Sequence, residues 1–134
     1  MLVDKGERYL ELMFDSYALM PTVEHYTCVI DLLGRAGSVD RVVSMVERMP
    51  FHPGIVVWHA ILGACRKWGN VYLGRHAFEH AIHLDEKDAA SYIAMFNIYA
   101  DASMHHEAHQ IEVMRVEKQA FQLEKLNNRS LCII

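Results

Sequence analysis

Between residues 23 and 36 the apolar positions Tyr26, Val29, Ile30 and Leu33 recur at i, i+3, i+4 and i+7. That spacing lines one face of an α-helix, so it predicts a helix over about residues 23–36. Gly37 follows directly, where a helix end calls for a residue that tolerates left-handed backbone. Ser38 then stands as the expected N-cap of a second helix with Val39, Val42, Val43, Val46 and Met49 on one face, ended by Pro50 and Pro53. The unit reads as two helices joined by a tight turn.

The same pattern returns twice. Tyr26, Trp58 and Tyr92 share a column, as do Ile30, Leu62 and Phe96, then Ala36, Trp68 and Ala102, then Gly37, Gly69 and Ser103, with steps of 32 and 34 residues. A period of this size marks a repeat protein. In the second unit Trp58, Ile61, Leu62 and Cys65 stripe one helix, Gly69 stops it, and Asn70 caps a partner carrying Val71, Gly74, Ala77, Phe78, Ala81 and Ile82. Small residues on that partner permit a close neighbour. In the third, Asp88 is the expected N-cap, Tyr92, Met95, Phe96 and Tyr99 form the stripe, and Ala108, Ile111 and Met114 continue on the partner helix. Ser103 stands where the turn glycine is expected.

Leu10, Met13 and Phe14 share a helical face within residues 3–14, as the second helix of a preceding unit would. The organisation is therefore a remnant helix in 1–20, units at 21–54, 55–88 and 89–118, and a divergent tail at 119–134. A helix pair cannot bury its apolar face alone, so the expected fold is all-α, an α-solenoid of about seven helices in stacked antiparallel pairs, cut from a longer array.

Composition narrows the function. A hydrophobic content of 52% with 22% charged residues fits a packed protein rather than a disordered one. The formal net charge of -4 supplies no overall basic field for a polyanion. Cys28, Cys65 and Cys132 are far apart and form no CxxC, which offers neither a disulfide framework nor a zinc site. The N-terminus has acidic residues and helical spacing where a targeting peptide would have a basic region, and no stretch reaches the ~18 apolar residues of a membrane span.

The wording of the units is more specific than their period. "PTVEHYTCVIDLLGRAGSVDRVVSMVERMPFHP", then "VVWHAILGACRKWGNVYLG", then "YIAMFNIYADAS", together resemble the C-terminal region of plant pentatricopeptide-repeat proteins of the PLS subclass, where a last repeat precedes two E motifs. The resemblance covers about residues 3–115. It implies that 21–54 is a pentatricopeptide repeat, that 55–88 and 89–118 are E-type motifs, and that the chain serves RNA metabolism in mitochondria or chloroplasts, most often C-to-U editing. It also implies two partners: single-stranded organelle RNA, held mainly by upstream repeats, and an editing deaminase or accessory protein docked on the E motifs. In that family the fifth residue of the first helix and the last residue of the repeat read one base. Here the matching residues are Thr27 with Gly54, and His59 with Asp88 in the next motif. Threonine at the first place would favour a purine, but Gly54 stands where the family has Asp or Asn, so this reader is half erased.

Other chemistry finds little support. His76, His80 and His83 could share a helical face, as could His105 and His109, yet "HHEAH" places Glu107 one step too late for an HExxH zinc motif. No HxE with PCxxC follows, no GxSxG or phosphate-cradling glycine loop is present, and no enzyme activity, metal or cofactor is expected. Trp58 and Trp68, which could be stacking platforms, sit in the apolar stripes and are expected in the core. A tetratricopeptide-like scaffold that binds peptides without RNA is the alternative that the helical period leaves open.

Overall fold

The computed structural model describes residues 21–133 together with Lys5, Gly6 and Arg8, and beyond Ala120 only the path of the backbone. The remnant helix expected from Leu10, Met13 and Phe14 lies outside the described residues, although a Cβ added at Gly6 would meet Leu32 and Val29. The described chain is all-helical: α1 (Val23–Arg35), α2 (Val39–Arg48), α3 (Ile55–Trp68), α4 (Val71–Leu84), α5 (Ala89–Asp101) and α6 (His105–Ile133). The last continues through the segment set apart as a tail. Helices pair as α1/α2, α3/α4 and α5/α6, and the first helices pack in a row, α1 on α3 and α3 on α5, with α4 also against α5. This is an α-solenoid.

The apolar stripes become its core. Ile30 and Leu33 of α1, Ile61 and Leu62 of α3, and Met95 and Ile98 of α5 are all buried, as are Phe78 on α4 and Ile111 on α6. One cluster joins every pair, as a stack requires when no pair can dry its own face. Small residues set the closest approaches. At Gly34 a Cβ would come 2.6 Å from the Ala64 Cβ, and at Gly74 it would come 3.0 Å from Ile98.

Each pair turns on the same device. The amide of Gly37 donates to the Gly34 carbonyl and that of Ser38 to the Leu33 carbonyl, which closes α1 in a Schellman motif with Gly37 at φ +77°. Ser103 and Met104 donate to Ala100 and Tyr99 in the same way at the end of α5, and Asn70 donates to Cys65 beyond left-handed Gly69. The three turns are thus one shape, although Ser103 must hold φ +60° with a side chain attached.

Helix starts are less uniform. Thr22 and His25 form a capping box on α1, and the Asn70 side chain accepts from the Leu73 amide. Ser38 occupies the N-cap position of α2 but makes no side-chain capping bond, contrary to the expectation. The tight connection leaves it at ψ 66°, short of the extended backbone from which a hydroxyl reaches the first turn. Asp88 is also at an N-cap position without a side-chain capping bond, because its carboxylate is used elsewhere.

Left-handed backbone costs a non-glycine residue about 1–2 kcal/mol, partly offset by the extra freedom glycine gives the unfolded chain. Ser103→Gly is therefore expected to stabilise the fold by about 0.5–1 kcal/mol, and Gly69→Ala to destabilise it by about 1 kcal/mol. Thermal unfolding followed by circular dichroism checks both; a lower midpoint for Ser103→Gly would contradict the strain.

Candidate nucleic-acid interface

The candidate reading residues sit on or next to the row of first helices. Thr27, half-buried on α1, donates its hydroxyl 2.7 Å back to the Val23 carbonyl, a local bond that occupies its proton. Gly54 is the exposed N-cap of α3 at φ −83°, and nothing lies within 4 Å of a Cβ placed there. Packing would accept Asp or Asn at this position. The missing side chain removes the polar half of the pair without any steric cause.

The second pair is brought together. His59, on the second turn of α3, bonds through Nε2 to Oδ2 of Asp88 at the start of α5. The same oxygen accepts from the Ser91 hydroxyl at 2.5 Å. Burial opposes ionisation of Asp88, yet the hydrogen bonds from Ser91 and His59 and the His59 charge outweigh it and hold the carboxyl below its ordinary value. Two residues 29 positions apart thus tie α3 to α5, with their facing atoms spent on each other.

Beyond this pair a shallow groove of about 260 Å³ runs between α3 and α5, lined by Leu62, Gly63, Ala90 and Ala94 with His59 and Arg66. Its floor is apolar and small. Basic groups gather at the C-terminal ends of the first helices, and each has a partner: Arg35 with Asp31 at 3.0 Å, Arg66 with Asp101 at 3.6 Å, and Lys67 with the Arg35 carbonyl at 3.5 Å. A face whose cations are already engaged and interleaved with carboxylates grips phosphates weakly.

Trp58 is in the core as expected, but Trp68 is not; it remains 50% exposed. Its Nε1–H donates to the Gly34 carbonyl at 2.6 Å, and a Cβ on Gly37 would lie 3.2 Å from the indole. Trp68 therefore clamps the second unit onto the turn of the first. It is the last residue of α3, where the helix surface faces the neighbouring turn rather than the core, and period alone does not separate those surroundings. The glycine inside the α1 pattern, Gly34, was the available signal for a close approach.

Of the histidines singled out, His76 and His80 are engaged in ring contacts. His80 lies flat on Trp58, with ring centroids 4.4 Å apart and planes 7° apart, and His76 meets both rings edge-on. Burial, then the nearby charges of His76 and His83, push His80 below its ordinary imidazole value. Among the described residues no group of three or more His, Cys, Asp or Glu is placed to hold a metal ion. Burial also pushes the Cys65 thiol up to about 11, so it packs as an apolar group and is a poor nucleophile. No described helix is long and apolar enough to cross a membrane.

Comparison with known proteins adds a second line. The profile described as PPR repeat matches residues 24–51, which span α1, α2 and the turn between them. A pentatricopeptide repeat-containing protein of Arabidopsis thaliana is 46% identical over 100 residues, covering 75% of this chain and 17% of its own length. The chain belongs to the pentatricopeptide-repeat family. Two further Arabidopsis relatives are similar: the protein named CRR2, chloroplastic, at 40% identity over 111 residues, and one named mitochondrial, at 35% over 117. These matches cover 83% and 87% of the pentatricopeptide-repeat chain but 17% and 19% of the relatives. The chain thus spans under a fifth of their length. No solved structure matches it.

The Asp88 bond network sets a pH expectation. Its folded-state pKa is depressed, so its contribution is complete above the unfolded value of about 3.9 and is lost as pH falls through the lower folded value. Asp88→Asn is expected to cost about 1–2 kcal/mol at neutral pH, allowing for the partial exposure of His59. The difference from wild type should shrink below about pH 4. Denaturant unfolding at pH 7 and pH 3 measures it; an equal difference at both would show that the carboxylate charge is not involved.

Proposed function

We propose that this chain is the partner-recruiting C-terminal part of an organelle RNA-editing specificity factor of the PLS subclass. Residues 21–54 are its last repeat, 55–88 and 89–118 its two E-type motifs, and 119–134 a divergent tail. Its role is binding rather than catalysis. The family assignment supports RNA as the ligand of the longer array, and the chloroplastic and mitochondrial names of relatives support an organelle as the place.

The observation that carries the recruiting role is the closed His59–Asp88 pair. A base-reading pair holds its polar atoms ready for a Watson–Crick edge, whereas these are spent on an inter-helix bond and on Ser91. With Gly54 lacking a side chain, Thr27 is the remaining polar reader in 21–54, and its hydroxyl proton is already donated. The net charge of -4 and the engaged Arg35, Arg66 and Lys67 favour protein docking over phosphate binding.

Residues 1–134 alone should bind single-stranded RNA weakly and without sequence preference. The logarithm of the affinity should fall with that of salt at a slope of about −1 to −2, as expected for one to three neutralised phosphates. Filter binding across a salt series measures this, and tight, sequence-selective binding would overturn it. In organelle extract the chain should retain a deaminase-bearing or editing-accessory protein after ribonuclease treatment. Recovery that vanishes with the RNA would count against the docking role.

A further inference from the structure

The first helices pack in a row with a shallow groove between α3 and α5, and on the other side α2 and α4 leave a slot between the first and second units. Its floor is Trp58 and Ile61 of α3, one wall is Val42, Val43 and Val46 of α2, and the other is Leu73 and His76 of α4. The cavity is about 90 Å³, and its lining is mainly aliphatic and aromatic. Val43 is among the exposed large hydrophobic residues. Glu47 stands at the slot, one turn from Val43, and pairs with no cation among the described residues. The α4 carboxylate Glu79, by contrast, is neutralised by Arg75 at 3.0 Å.

We infer that this slot is a docking site for a short amphipathic helix of a protein partner, which inserts one aliphatic side chain between α2 and α4 and sets a Lys or Arg one turn away against Glu47. The small apolar cavity suits a single aliphatic anchor such as Leu, Ile or Met. The unpaired carboxylate beside an apolar slot, on a chain of net charge -4, fixes the sign of its neighbour. The inference rests on the recruiting role proposed above and gives it an address, on the side of the second helices and away from the His59–Asp88 pair.

The test uses the full chain and a fluorescein-labelled 16-residue alanine-glutamine helix carrying one Leu and, four residues on, one Lys, followed by anisotropy. Saturable binding is expected, weakened at least about tenfold when the peptide Leu becomes Ala, or when Val43→Asp is introduced at a half-exposed site that does not threaten folding. Glu47→Lys should weaken the Lys peptide about tenfold and make a Glu-bearing peptide the better ligand. No saturable binding up to millimolar peptide, unchanged affinity in both variants, or displacement by single-stranded RNA would overturn the site. If the variants still retain the editing-accessory protein from extract, the slot fails while the recruiting role stands; if wild type retains none, the role itself fails.

Discussion

Where α1 crosses α3, the backbone of Gly34 lies so close to Ala64 that a Cβ could not be added. Much of the architecture depends on that approach. It brings the Gly34 carbonyl within reach of Trp68 and the Arg35 carbonyl within reach of Lys67, so the end of α3 clamps the turn that ends α1. It also packs the first helices tightly enough that their stripes merge into one core. A larger residue at 34 would separate the units, and the stripes of Ile30, Leu33, Ile61 and Leu62 would face water instead of each other.

Because α1, α3 and α5 touch while α2 and α4 do not close on each other, the two sides of the stack differ in kind. The side of the first helices is laced with bonds around its shallow groove, His59 to Asp88 and Arg66 to Asp101 among them. The side of the second helices offers an open apolar slot over Trp58. Of the residues expected to read a base, Gly54 carries no side chain and His59 is bonded to Asp88 of the next unit.

The helices, their turns and their family were legible in the residues. Period-3.6 stripes, the glycines at 37 and 69, and the phrases around them carry those conclusions because they depend on neighbours within a turn or two. Even Ser103 was placed correctly as the third turn, since alignment to Gly37 and Gly69 outweighs the conformational cost of a serine there. The capping role of Ser38 was misread, because a cap residue is recognised by type while its bond depends on a backbone angle that the turn imposes.

What the sequence determined by itself is the repeat: which residues face inward, where each helix reverses, and which family's wording they follow. The tertiary structure decided what each polar or aromatic residue does once the units stack. Trp58 and Trp68 lie on the same helix at helical spacing, yet one is core and the other a half-exposed clamp, and His59 finds Asp88 only because α3 and α5 are adjacent. Apolar patterning is written in short-range periodicity, whereas a side-chain partner 29 or 34 residues away is chosen by the stacking of whole helices, which a linear pattern does not contain.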